Sequence, residues 1–145
     1  MTPSASNALR TLMMTLIGEV APQVPEGYAQ ASVHLIGLLQ LFAAEELDRA
    51  AALRVWENAE IRALLHQATE VVVDAELVRR LRAAAAGSDE DLLVSALDVS
   101  NAELRRLLIE MHAAVEEIDG ERAGELERAI WRFLSAAAVR RALPF

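Results

Sequence analysis

The sequence predicts an all-α protein, an antiparallel helical bundle of four principal helices plus one or two short ones. Alanine and leucine dominate while aromatics make up only 4% of the chain, a composition that favours helix almost everywhere. Apolar residues recur at three- and four-residue spacing through most of its length. The chain is broken where Pro22, Pro25 and Gly27 fall close together, as helix-ending residues should. With 145 residues, 54% of them hydrophobic, and a mean hydropathy of +0.23, residues 1–145 suffice for a single helical domain with a buried core.

Taken in order, the first helix is expected from Ser6 or Asn7, either of which can cap free amides, with Leu9, Leu12, Met13, Leu16, Ile17 and Val20 on one stripe. The second runs from about Glu26 through at least Phe42, with Tyr28, Ala31, Leu35, Leu38, Leu39 and Phe42 in register. Val33, Ile36, Leu41 and Ala44 make its opposite side apolar too. If it continues unbroken, Glu46 and Arg49 fall where the pattern asks for core, ahead of Leu53 and Trp56. Asn58 is expected to cap a shorter helix holding Ile61, Leu64 and Leu65, and Asp74 another that reaches Ala86 before Gly87. Glu70–Val73 is the single strand-like fragment and is too short for a sheet. Ser88-Asp89-Glu90-Asp91 reads as a helix start, and the stripe Leu93, Leu97, Leu104, Leu107, Leu108, Met111, Val115, Ile118 follows. Ser100 and Glu103 match a capping box, which allows a break near Val99. After Asp119-Gly120, a last helix carries Leu126, Ala129, Ile130, Phe133 and Ala137 and ends near Leu143-Pro144.

Composition excludes several chemistries. There is no cysteine, so no disulfide, thiolate ligand or cysteine nucleophile, and all 14 basic residues are arginine, so no lysine nucleophile. A net charge of -8 opposes nucleic acid or an anionic membrane as the main partner. The stretch from Tyr28 to Ala44 is uncharged but contains Gln30, Ser32, His34 and Gln40 and falls short of a membrane span. The residues from Met1 to Arg10 lack the form of a secretory signal, and cytoplasm is the expected location.

Polar residues that interrupt apolar stripes are the candidates for a site, because an unpaired buried polar group costs about 1–3 kcal/mol. Glu46, Arg49, Asn58, Ser100, Asn101 and His112 are the expected ligand-binding residues, around a polar pocket within the bundle. Glu45 and Arg49, four apart, also suit a surface ion pair. His66 with Glu70 and His112 with Glu116 share the i, i+4 spacing of metal ligands. The Glu-x-x-His pair of di-iron bundles and the His-Glu-x-x-His zinc motif are both missing, so neither a metal centre nor a cofactor is expected. No nucleophile elbow or phosphate-binding loop is present, so no catalytic residue is assigned. The arginine clusters Arg79-Arg80, Arg105-Arg106 and Arg140-Arg141 sit among acidic neighbours and read as solvated helix faces.

Charge distribution bears on partners. Through Ala44 the charged residues are Arg10, Glu19 and Glu26 alone. Helices apolar on more than one side would leave a large patch in water unless another subunit covers it. The expected function is a homodimeric interaction or regulatory module without chemistry of its own, paired through helices one and two around Gly37, or binding a protein partner. The alternative is a small-ligand-binding bundle or enzyme with an internal polar pocket.

Overall fold

The computed structural model describes residues 4–142, and the expected final stop at Leu143-Pro144 lies outside them, as does Met1–Pro3. The architecture is an all-α helical bundle: α1 (Ala5–Thr15), α2 (Tyr28–Ala68), α3 (Ala75–Ala85), α4 (Val94–Glu116) and α5 (Glu121–Arg141). No strand occurs among the described residues; Val71 closes a turn on Ala68, and Val72 to Asp74 have no regular structure. No helix among the described residues is long and apolar enough to cross a membrane.

The described residues divide into two compact units, the first reaching to Ala50 and the second running from Ala51 to Ala142, with the division falling inside α2. In the first, the Ser4 hydroxyl accepts the amide of Asn7 and caps α1, ahead of the expected start at Ser6 or Asn7. The helix continues as a π turn (Leu16–Val20) and a 3-10 turn (Ala21–Gln23), because Pro22 lacks the amide that would carry the α ladder onward. Gly27 adopts φ +135°, a conformation L side chains rarely take, and α2 begins directly after it. Gly37 is buried because Ile17 occupies the space its side chain would fill: a Cβ there would lie 2.9 Å from Ile17 Cγ1. The close approach expected at Gly37 therefore takes place within the chain.

Helix α2 is continuous past Ala44 to Ala68, so Asn58 is not a cap but a buried residue in mid-helix. In the second unit α2, α3, α4 and α5 enclose a core of Ile61, Leu65, Leu81, Leu108, Met111, Val115, Leu126, Ile130 and Phe133. Each such side chain contributes about 1.5–3 kcal/mol on burial. Asp74 caps α3 as expected, accepting the amides of Glu76 and Leu77. The acidic run does not start α4. Residues 87–93 are irregular, α4 opens at Val94, and Asp91 instead accepts the amide of Leu93. No break occurs at Val99, since Ser100 lies inside α4.

Candidate functional site

The second unit contains a connected polar cluster whose centre is Glu57, wholly buried together with Asn58 and with Asn101 at 6% exposure. The local cause is register: Glu57 occupies the row Leu53, Glu57, Ile61, Leu65, and Asn101 the row Leu97, Asn101, Leu104, Leu108. Residues three or four apart on a helix face the same way, so each polar group is carried inward with its apolar neighbours.

Two other helices converge on the Glu57 carboxylate of α2. From the end of α5, Arg141 donates from Nε to Oε1 at 2.6 Å and from Nη2 to Oε2 at 2.7 Å, a two-pronged pairing. From α4, Arg105 Nη2 and Asn101 Nδ2 each donate to Oε2 at 3.0 Å. Burial pushes the Glu57 carboxyl up, but the hydrogen bonds and positive charges of Arg141 and Arg105 outweigh it and hold the pKa at about 2.

Asn101 extends the cluster, donating to Asn58 Oδ1 at 2.9 Å while its own Oδ1 accepts Arg105 Nε at 3.0 Å. Asn58 in turn donates to both oxygens of Asp89, at 3.1 and 3.2 Å. Arg62 clasps the same carboxylate with both terminal nitrogens, at 3.1 and 2.7 Å. Ser100 Oγ donates to Asp89 Oδ1 and accepts from Arg62 Nη2, each at 3.1 Å. Asp89 is held below the usual carboxylate range, first by the Arg62 hydrogen bonds, against burial, and then by Asn58 and Ser100. Arg62 Nε is buried without a partner. The cluster thus ties α2 to the irregular segment before α4, to α4 itself and to the end of α5.

Of the expected ligand-binding residues, the structure brings Asn58, Ser100 and Asn101 together. Glu46, exposed, and Arg49, half-buried, belong to the first unit. There Glu45 pairs with Arg10 at 2.7 Å, and Asp48 with the same nitrogen at 3.2 Å. His112 stands on α4 three turns beyond Asn101. Sequence reasoning missed Glu57, Arg62, Asp89, Arg105 and Arg141. Arg105 and Arg141, read as solvated, are part-exposed, at 34% and 42% of the side chain, while their guanidinium nitrogens reach the buried carboxylate. The interrupted Leu53 row was the signal for Glu57; none marks Asp89, which lies outside any helix.

Two further features belong to the second unit. Between α2 and α5 run open grooves of about 580 and 450 Å³, both bordered by Gln67, Ala129 and Arg132. Beside the second, the Arg140 guanidinium lies over the Trp56 ring at 4.1 Å, and Trp56 meets Phe133 at 5.9 Å between centroids. On the α4–α5 side, His112, Glu116 and Glu127 bring their ligand atoms within 4.8 Å of one another. Trp131, on the flank of α5 and 55% exposed, sets its ring edge-on to His112 at 5.8 Å.

Compared with protein families, curated proteins and solved structures, the chain finds no match, and the functional reading rests on its own geometry.

Proposed function

We propose that the protein is a non-enzymatic, homodimeric interaction or regulatory module of the cytoplasm that pairs through α1 and the N-terminal half of α2. One observation carries this reading: the first unit has no large apolar side chain in a buried position among its described residues. Its buried apolar side chains are Ala21, Ala44 and Ala50. Meanwhile Leu12, Met14, Leu35, Leu39 and Leu47 are each more than half exposed. A helical hairpin gains its stability by burying such side chains, and exposed apolar area of this extent is characteristic of association surfaces.

A second copy suits this surface better than a charged partner. Only three charged residues occur through Ala44, and Arg10 among them is paired with Glu45 and Asp48, so the apolar stretch offers little charge to select an oppositely charged molecule or to oppose like-with-like pairing. Two hairpins packed by a twofold axis make a four-helix arrangement with a shared apolar core. Helix α3 is committed elsewhere, since Leu77 and Leu81 are buried in the core of the second unit.

Sedimentation equilibrium of the full chain tests the proposal. A dimer is expected at micromolar concentration, and the double substitution Leu35→Glu with Leu39→Glu is expected to give a folded monomer, because it places carboxylates within the apolar contact. A wild-type chain that stays monomeric at that concentration overturns the reading.

A further inference from the structure

On α4, His112 and Glu116 are one turn apart, and Glu127 of α5 completes a triangle of ligand atoms none more than 4.8 Å from another. The His112 Nε2 atom is buried from solvent and has no hydrogen-bond partner. It stands 3.6 Å from Glu116 Oε1, beyond hydrogen-bonding distance. A buried nitrogen facing two carboxylates with no bond to either is a costly arrangement unless something between them accepts all three. The ring is steadied from the side by the edge-on contact with Trp131.

We propose that His112, Glu116 and Glu127 bind a divalent transition-metal ion, with zinc the best match. Zinc takes an imidazole nitrogen together with carboxylate oxygens, and the borderline imidazole sets the site apart from those of magnesium and calcium, which prefer hard oxygen ligands alone. Ligand atoms on a tetrahedral zinc, at bonds of about 2.0–2.1 Å, lie about 3.4 Å apart. The 3.6 Å pair is already near that spacing, and Glu127 closes the remainder by rotation about its side-chain bonds. The ion would replace the missing partner of His112, neutralise two carboxylates and pin α4 to α5. Glu116 is 54% exposed, so solvent reaches this side of the triangle and a water is the expected fourth ligand. With three protein ligands, binding is weaker than at a closed four-ligand structural site.

The sequence marks His112 and Glu116 by their spacing but not Glu127, because the third ligand comes from another helix, eleven residues beyond Glu116 and across the turn at Gly120. The ligand spacing exists only once α4 and α5 pack.

The test uses the full-length chain, freed of metal by chelation. Titration with zinc in a calorimeter is expected to give one site per chain. Cobalt is expected to give the visible absorption of tetrahedral Co²⁺ and to quench Trp131 fluorescence. His112→Ala and Glu127→Gln should each weaken zinc binding by roughly tenfold or more, while Glu117→Gln, a neighbouring carboxylate outside the triangle, should not. Zinc should raise the melting temperature of the wild type and not that of Glu127→Gln, which keeps the size of the side chain and so controls for misfolding. The proposal is overturned if zinc at about a hundred micromolar leaves heat and melting temperature unchanged, a level that would nearly saturate a micromolar site. It is equally overturned if folded His112→Ala and Glu127→Gln bind as the wild type does.

Discussion

Glu57 is the residue on which the second unit is most exposed to perturbation. Its carboxylate is fully buried and accepts from Arg141, Arg105 and Asn101, so an amide in its place removes the charge that both guanidiniums face and turns one accepting oxygen into a donor. Both arginine side chains are part-exposed and rehydrate readily, which places the cost of Glu57→Gln near the low end for a broken buried pair, about 3 kcal/mol. Urea denaturation followed by tryptophan fluorescence measures this directly, since Trp56 and Trp131 both lie in the second unit. The same residue dictates an acid response. Its folded pKa, about 2, is below the ordinary 4.5, so its stabilising contribution is complete above about pH 4.5 and fades as pH falls toward 2. Glu57→Gln should lack that part of the acid destabilisation, so the stability gap between wild type and variant should narrow as pH falls through this window. A gap that stays constant from about pH 6 to about pH 3 would mean that the carboxylate is not held by its arginines. Asn101 was legible as a polar interruption of a leucine row, but its partners were not, because Arg105, Glu57 and Asn58 come together only through packing of α4 on α2.

At the scale of elements, two helical glycines separate propensity from packing. Gly124 lies within α5, and a Cβ added there would meet nothing within 4 Å, so Gly124→Ala should raise stability by about 0.5–1 kcal/mol through backbone entropy alone. Thermal unfolding measures it. Gly37 carries the same propensity gain, but a Cβ there meets Ile17 Cγ1 at 2.9 Å and Cδ1 at 3.0 Å. Ile17 is branched at the carbon next to its backbone and has few alternative rotamers, so Gly37→Ala should destabilise α1 against α2, by about 1 kcal/mol or more. Faster amide exchange in α1 is the expected readout. Ahead of α4, local merit again gives way to packing. Asp89 has the residue type and setting of a helix cap, yet it bonds to Asn58 and Arg62 of α2, because a charge-assisted fork on Arg62 outcompetes a single backbone amide.

For the whole molecule, the contrast between its two units carries a prediction of its own. The second unit buries leucine, isoleucine, methionine and phenylalanine, whereas the first buries alanine. If the first unit completes its core with a second copy, its stability depends on protein concentration and that of the second unit does not. Hydrogen exchange measured over a dilution series should show protection of α1 falling as the dimer dissociates, with α4 and α5 unchanged. Equal protection of α1 at every concentration would remove the basis for pairing through this face. At the surface, the Arg80–Glu110 pair between α3 and α4 joins two groups whose side chains are 43% and 48% exposed, so Arg80→Ala should cost little, and less still in high salt.

Local residue order sets the helical class, most of the apolar stripes, the turns at Pro22 to Gly27 and at Gly120, and the cap at Asp74. Those features depend on neighbours within four residues, which the chain order supplies directly. Tertiary structure decided whether α2 runs on past Ala44, where α4 starts, which side chains surround Glu57, and that Glu127 stands opposite His112. Each of those is a choice among competing partners of similar local merit. Asn58 is a good cap and a good core bridge, and Arg141 a good surface charge and a good clamp. The deciding term is the cost of leaving a buried carboxylate or amide unbonded, and that cost exists only after the helices pack and exclude water.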